Sequence, residues 1–296
     1  MGKARKILKR VKAVSNIRTV TKTMEMVATA RFRKSHMKVQ AARALANRMM
    51  DMVADLIQRN PDDLDSPLIH PRGTVRRDVL LVLTANRGLA GGYNSSVLRL
   101  AMERYRQMSD GGAACDLHVK GKKGVQFLKF RKFKLEKTFT DIDYLPAYEA
   151  ICGVAQYYID RFVGGEISGL EGAYMQYASS GSFKPVIAQL LPMEDLPVAP
   201  SLLPPGTVAP LYEFLPSPKA VLAELLPATL RMKLYQCFLE AGVTEQLSRM
   251  TAMHAATDNA EEMIHRLTVE YNRARQAQIT TELAEIMGGR AGIDQG

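Results

Sequence analysis

The sequence lacks the features that disulfide-stabilised, metal-binding and membrane-spanning proteins require. Its three cysteines, Cys115, Cys152 and Cys237, are widely spaced and odd in number, which argues against a disulfide framework and favours a reducing compartment. No apolar run approaches the roughly 20 residues that cross a bilayer. The histidines are scattered; His254 and His265 share one predicted helix but lie about 16 Å apart, too far to hold one ion. We therefore expect neither a metal site nor a membrane span.

Sequence motifs of catalysis are also missing. There is no G-x-S-x-G elbow and no H-E-x-x-H pair. Gly88, Gly91 and Gly92 follow a predicted strand and precede a predicted helix, but their spacing lacks the G-x-G-x-x-G pattern and the G-K-[ST] ending of nucleotide-binding loops. The segment from Gly121 to Gly124 fails the same test. We interpret the three loop glycines as a tight turn with positive φ and close packing, and we expect no catalysis and no cofactor.

Glycine and proline are absent between Gly2 and Pro61, where apolar residues recur at spacings of three and four. This pattern predicts one helix of about 57 residues, which spans roughly 85 Å at 1.5 Å per residue. The predicted apolar stripe consists of Ile7, Val11, Val14, Met24, Val27, Ala28, Leu45, Met49, Met52 and Leu56.

A second long stripe lies between Pro218 and Gly289. From Pro227 it predicts one helix of about 60 residues, or roughly 90 Å, whereas a small domain is about 30 Å across. The stripe consists of Leu247, Met250, Met253, Ala256, Ala260, Met263, Leu267, Tyr271, Ala274, Ile279, Leu283 and Ile286. Two helices of similar length predict an antiparallel coiled coil, with a central body at one end and both chain termini at the other.

Strand and helix patterns alternate between the two long helices. Strands are predicted at Asp78 to Ala85, Cys115 to Lys120, Leu170 to Ser179 and Pro185 to Leu191, with helices at Ser95 to Met108 and Tyr144 to Phe162 and a short helix after Gly121. This alternation is typical of an α/β layer. We expect an α/β plus long α fold, with an N-terminal coiled-coil helix (1–60), an inserted Rossmann-like α/β domain (74–192), a proline-rich tether (193–217) and a C-terminal coiled-coil helix (218–289).

Positive charge is concentrated at the N-terminal end. The net charge is +10, yet residues 1–50 contain fourteen Lys or Arg and one acid, Glu25, so the other residues sum to −3. Such a helix attracts an acidic protein surface, nucleic acid or an anionic membrane, although a solvated face explains it equally simply. The first 24 residues lack acids, as mitochondrial presequences do. Because the apolar stripe continues through Glu25 to Leu56, we expect mature structure there.

Four segments carry a resemblance to a known family. They are ILKRVKAVSNIRTVTKTMEMVATARFRK (Ile7 to Lys34), RGLAGGYNS (Arg87 to Ser95), PSPKAVLAELLP (Pro216 to Pro227) and MTAMHAATDNAEEMIHRLTVEYNRARQAQITTELAEIMGG (Met250 to Gly289). Together they closely resemble the gamma subunit of the F-type ATP synthase over nearly the whole chain. The two terminal motifs are long and specific.

The resemblance implies a mechanical role. In this family the terminal helices form an antiparallel coiled coil inside a ring of three alpha and three beta subunits. The α/β domain sits against the epsilon subunit and the membrane ring of c subunits. Proton or sodium flow turns the ring and the shaft, and the shaft drives the beta subunits that make ATP. The resemblance implies a non-catalytic chain without cofactor or nucleic acid, peripheral on the cytoplasmic face of the bacterial inner membrane.

The resemblance also assigns residues to contacts. Those implied to face the beta subunits are Met24, Arg31, Arg33 and Lys34 in the basic band and Arg275, Gln276 and Thr280, which match the family's ARQ-x-x-IT motif. Tyr212 and Glu213 are implied to lie on the side of the c ring and epsilon. The last turns, Ile279 to Met287, are implied to project beyond the N-terminal helix into an apolar sleeve.

The sequence departs from the family's pattern in places. Ala85-Asn86 replaces the usual Ser-Asp, Ala90 replaces a cysteine and Leu215 replaces an acid, which leaves the detail of the c-ring contact open.

Two other classes of protein are alternatives. A basic-region DNA-binding coiled coil lacks the apolar stripe that runs through this basic segment. A nucleotide-dependent enzyme would use the loop from Asn86 to Asn94. Steep salt dependence of DNA binding, or nucleotide binding by the isolated chain, would favour one or the other.

Overall fold

A computed structural model describes residues 2–59, 66–69, 76–112, 114–179, 182–193, 215 and 217–293. The elements are α1 (Gly2–Arg59), β1 (Arg77–Leu83), α2 (Tyr93–Asp110), β2 (Ala114–Lys120), α3 (Lys122–Phe130), β3 (Lys137–Phe139), α4 (Tyr148–Val163), β4 (Gly169–Ser179), β5 (Ser182–Leu191) and α5 (Pro218–Ile293). The chain divides into two compact units, one formed by residues 1–29 with 249–296 and the other by residues 30–248.

The sheet of the 30–248 unit has the strand order β3-β2-β1-β4-β5. Strand β1 is central and runs parallel to β2 and β4, β2 is parallel to β3, and β5 returns antiparallel to β4. Residues Val79 to Leu83 of β1 have no exposed surface. The predicted continuous apolar strand, covered on both faces, is therefore confirmed; it ends at Leu83.

Two hydrophobic clusters cover the two faces of the sheet. Leu80 and Val82 point into a cluster built with α2 and α3. Their neighbours Val79, Leu81 and Leu83 point into the opposite cluster, built with α4, the first half of α5 and Val53 of α1. This alternation follows from the two-residue period of a strand. Both long helices thus contribute to the same face of the sheet as α4.

The structure differs from the sequence prediction at three elements. Strand β3 has three residues, too few to produce a pattern, and α4 begins at Tyr148 rather than Tyr144. Pro227 lies inside α5 instead of at its start. An interior proline removes a backbone hydrogen bond and disfavours the helix, but its neighbours Leu226 and Leu230 are almost completely buried, and this packing keeps the helix continuous.

A buried ion pair joins α1, α5 and β4. The Arg43 guanidinium lies 2.8 Å from Oε1 of Glu240, whose side chain has no exposed surface, and it also donates to the carbonyl oxygen of Tyr177. The Gln236 amide donates to the same carboxylate at 2.9 Å. Since a buried carboxylate requires partners, this network fixes how the two helices meet the end of β4.

Gly242 allows α5 to touch the segment before α4. A Cβ atom at this position would lie 1.8 Å from the carbonyl oxygen of Tyr144. No side chain other than hydrogen fits there without a backbone shift. By contrast, a Cβ at Gly153 in α4 would meet nothing within 4 Å.

Candidate functional site

Contacts between α1 and α5 define the pairing within the unit formed by residues 1–29 and 249–296. The facing pairs are Thr21 with Thr257 (2.9 Å), Arg18 with Glu261 (3.7 Å) and Glu25 with His254 (3.3 Å). In every pair the two residue numbers sum to 278 or 279. The sum is constant only if one helix runs opposite to the other, so the predicted antiparallel pairing is confirmed.

Small residues fill much of the contact. The buried positions of this unit include Ala4, Ile7, Thr21 and Ala28 on α1 and Met253, Thr257, Ala260 and Leu267 on α5. Small side chains let two helices approach closely. The polar pair Thr21 and Thr257 was missed by sequence reasoning, since a search for large apolar residues passes over threonine.

The predicted stripes are wrong at several large residues. Val27 is 46 % exposed, Met263 is 39 % exposed, and Leu45 and Met52 are also exposed. Ala28, which belongs to the predicted stripe, is buried, and Ala46 and Val53 are buried beside the exposed Leu45 and Met52. Side-chain size alone does not decide which positions are buried, since Val27 is exposed while Val53 packs into the hydrophobic cluster on the sheet.

The last turns of α5 lie beyond the end of α1. If facing residue numbers sum to about 279, Gly2 at the start of α1 faces residue 277. Exposure then rises along the helix, from 44 % at Ile279 through 56 % at Leu283 to 68 % at Ile286. Within the described residues, nothing on α1 faces these apolar side chains.

Met24 lies half-buried beside the facing pairs. Its neighbour Glu25 accepts a hydrogen bond from the Lys22 ammonium at 3.2 Å and also contacts His254. The surrounding basic side chains are exposed, as in the Arg18 contact with Glu261, where 46 % and 58 % of the two side chains are accessible. Exposed pairs of this kind contribute about 0 to 1 kcal/mol. Glu25 is the only acid in residues 1–50. Its position among basic residues was the sequence feature that could have predicted these contacts.

Arg31, Arg33 and Lys34 belong to the 30–248 unit. The Arg31 guanidinium lies 5.1 Å from the centre of the Tyr144 ring, a cation–π contact that holds this side chain within its own chain. Arg33 and Lys34 are exposed. The latter two are therefore free to face another molecule.

Arg275, Gln276 and Thr280 lie on the second half of α5. Arg275 and Gln276 are exposed, and the Thr280 hydroxyl donates to the Gln276 carbonyl oxygen at 3.0 Å. By the pairing sum, Met24 faces residue 255, which is 20 residues from Arg275, or about 30 Å along the helix. The structure therefore does not bring Met24 and the Arg275 group together.

The glycine-rich loop closes the carboxyl end of β1 as a turn. Gly91 has a positive φ of 52°, and so does Leu89, with 59°. Of the three predicted glycines only Gly91 has a positive φ, since Gly92 has a φ of −81°. A Cβ at Gly88 or Gly92 would make only ordinary contacts, so the prediction of positive φ and close packing is wrong at these two positions. The Tyr93 hydroxyl donates within the protein, with the carbonyl oxygens of Leu83 and Ala241 at 3.3 and 3.1 Å, so the loop is packed against the sheet and α5.

Several titratable groups in the α/β part are perturbed by burial. Loss of solvent raises the pKa of Cys115 and of Cys237 to about 12, which keeps both thiols protonated and poor nucleophiles. Loss of solvent and the nearby Arg161 charge lower the pKa of His118 to about 4. The Nδ1 atom of His118 lies 2.9 Å from the Tyr158 hydroxyl, and neither side chain reaches the surface.

Two further predictions concern membrane and metal. None of the described helices contains an apolar stretch that could span a bilayer. Over the same residues, no group of three His, Cys, Asp or Glu side chains is placed to hold a metal ion. Tyr212 and Glu213, predicted for the c-ring side, and most of the predicted tether lie outside the described residues.

Comparison with known proteins gives consistent results. A family model described as ATP synthase matches residues 3–293. The chain is 38 % identical to the ATP synthase gamma chain of Rhodopirellula baltica over 291 residues, covering 98 % of both chains, and 37 % identical to that of Brevibacillus brevis over 285 residues, covering 96 % of both. Its fold is similar to a chain in the OSCP/F1/c-ring structure of the Euglena gracilis mitochondrial ATP synthase, with a TM-score of 0.65 and 16 % identity over 99 % of this chain and 95 % of the other.

Proposed function

This chain belongs to the gamma subunit family of the F-type ATP synthase and is its non-catalytic central-stalk subunit, and from this premise we propose how its surfaces couple rotation to ATP synthesis. The proposed partners are three alpha and three beta subunits around the paired helices, with the epsilon subunit and the c-subunit ring at the α/β part. The complex would hold the chain at the cytoplasmic face of a bacterial inner membrane. The chain itself would bind neither nucleotide nor nucleic acid.

The exposed end of α5 is the observation that carries the proposal. A run of apolar residues that reaches 68 % exposure at Ile286 and 73 % at Met287 is unfavourable in water. An apolar sleeve formed by the surrounding subunits would cover it. This arrangement would give the rotating helix a smooth bearing, because apolar contacts are non-directional and change little as the helix turns.

The exposed cations would supply the contacts that change during rotation. Met24, Arg31, Arg33 and Lys34 would meet acidic loops of the beta subunits, and Arg275, Gln276 and Thr280 would contact a beta subunit near the top of the shaft. Since each exposed ion pair contributes about 0 to 1 kcal/mol, such contacts form and break without trapping the rotor. The asymmetric shaft would then bias which beta subunit is closed, as in any two-state element. Tyr212 and Glu213 would serve the c-ring side.

Purification through a tag on this chain tests the assembly. We expect the tagged chain to bring down alpha and beta subunits in threefold excess over itself, with epsilon and the c ring. Recovery of the chain alone, or with an equal amount of one partner, would contradict the proposed assembly.

Substitution of Met24 tests the coupling role. Met24→Lys places a further positive charge in the basic band, and we expect lower ATP synthesis with unchanged subunit ratios in the purified complex. Met24→Leu is the matched control, since it keeps the apolar volume and should keep the rate. Equal ATP synthesis by wild type and Met24→Lys would argue against a coupling contact at this position.

A further inference from the structure

A groove of about 900 Å³ lies between α2 and α3 on the face of the sheet away from the long helices. Its floor is apolar and is formed by Leu98, Met102, Phe127 and Phe133. Leu98 is buried, and the other three are half-buried. A floor of this kind favours an apolar side chain from outside over water.

Four cations surround this floor. Arg99 and Arg106 line the α2 side, Lys123 and Arg131 line the α3 side, and Glu103 is the single acid of the lining. All four cations are exposed, and none forms an ion pair with a described residue. The Arg131 guanidinium lies 5.5 Å from the centre of the Phe127 ring, at the edge of the floor. The groove thus has an excess of three positive charges without compensation from its own walls.

The spacing of the cations decides what kind of anion fits. Arg99 and Arg106 are seven residues apart on α2, or about 10.5 Å, and Lys123 and Arg131 are eight residues apart, or about 12 Å along the helix direction. A single phosphate needs donors that converge on one point. Here the charges are distributed along two walls over about two helical turns, with apolar surface between them.

We propose that this groove binds an acidic amphipathic helix of another protein, with its apolar face on the Met102 and Phe127 floor and its carboxylates against the four cations. Helix-in-groove recognition uses apolar anchors at spacings of three and four, and complementary charge on the rim orients the bound helix. This inference goes beyond the stalk role and does not rest on it. A failure here leaves the proposed assembly with alpha and beta subunits untouched.

Binding of a designed peptide to the full chain tests the proposal. The probe is a fluorescein-labelled 18-residue helical peptide with leucines on one face and glutamates flanking it, and fluorescence anisotropy reports its Kd. We expect saturable binding that the double variant Arg99→Glu with Arg131→Glu weakens by about tenfold or more, because like charges then meet across the rim. The matched control, Lys129→Glu with Lys134→Glu, makes the same change of charge outside the groove and should weaken binding by less than about twofold.

Further probes keep the proposal falsifiable if a variant fails to fold. Hydrogen exchange on the wild-type chain should show protection by the peptide confined to α2 and α3. A polyglutamate peptide and inorganic tripolyphosphate should bind more weakly than the amphipathic peptide. The proposal is overturned by no binding at 1 mM peptide, by equal weakening in both double variants, or by polyglutamate or tripolyphosphate binding as tightly as the amphipathic helix.

Discussion

At the scale of single residues, burial decides how much an ion pair affects the stability of the protein. The Arg43 pair with Glu240 is closed to solvent on the carboxylate side, whereas the Arg18 pair with Glu261 is roughly half accessible on both sides. Removal of one partner from a buried pair leaves an uncompensated charge, but removal from an exposed pair leaves a hydrated one. The same pair of residue types therefore has very different consequences in two places.

Glu240→Ala is expected to lower the free energy of unfolding by about 3 kcal/mol, because Arg43 and Gln236 lose a carboxylate acceptor that has no exposed surface. Urea denaturation followed by tyrosine fluorescence measures this, as the chain has no tryptophan. Glu240→Gln keeps an acceptor of the same shape and should cost less. For the exposed control Glu261→Ala we expect less than about 0.5 kcal/mol, and equal losses at the two positions would show that burial is not the deciding factor.

His118 is expected to make the protein sensitive to acid. Its pKa falls from 6.5 to about 4 on folding, owing to burial and to the Arg161 and Lys137 charges, which outweigh the opposing effect of Asp116. As the pH falls below 6.5, His118 becomes protonated in the unfolded chain but stays neutral in the folded chain. The free energy of unfolding therefore decreases between pH 6.5 and about 4, by about 3 kcal/mol in total.

The variant His118→Phe tests this pH dependence. It should be less stable than wild type at pH 7, since the Tyr158 hydroxyl loses its partner, but it should lose less stability between pH 6.5 and 4. An unchanged slope in His118→Phe would assign the acid sensitivity to other groups.

At the scale of elements, α5 shows what sequence patterns reveal and what they miss. Its length and its apolar period follow from the sequence, because a period of three to four residues over many turns has one simple interpretation. Its passage through Pro227 and its contact at Gly242 do not, since both depend on residues that are distant in the chain. Tertiary packing overrides local preference at both positions.

Gly242→Ala is expected to destabilise the protein by about 2 to 3 kcal/mol or more, since the new methyl group collides with the Tyr144 carbonyl. Alanine in a helix interior normally stabilises by up to about 1 kcal/mol relative to glycine. Gly153→Ala, in α4 with open space around it, should show that normal gain. Thermal melts of the two variants are expected to shift in opposite directions, and a gain at both positions would refute the close contact.

At the scale of the whole molecule, the two units differ in what they bury. The 30–248 unit encloses a sheet between two hydrophobic clusters, while the 1–29 and 249–296 unit has one narrow strip of buried residues between two helices. The α/β alternation and the antiparallel pair were predictable because both arise from local periodicity. The spacing did not show which residues are buried between α1 and α5, since the choice between neighbouring helix faces depends on how closely the helices approach. It also did not show the roles of the basic band or of the Arg275 group.

Hydrogen exchange of the isolated chain should follow this difference. We expect amides of residues 3–25 and 265–287 to exchange by local opening, with free energies well below the global value, because few buried contacts hold them. Amides of β1, at the centre of the sheet, should exchange only on global unfolding and serve as the internal reference. Full protection of both helix segments in the lone chain would contradict this expectation.

Glu25 gives the N-terminal helix a further property. Lys22 and His254 occupy its two carboxylate oxygens, so the one negative group among fourteen cations is screened from outside. An approaching anionic surface then meets mainly positive side chains on α1, whose attraction reaches about 8 Å at physiological ionic strength. This field would govern how fast the helix is captured during assembly, and added salt would slow that capture while leaving the fit of the finished complex unchanged.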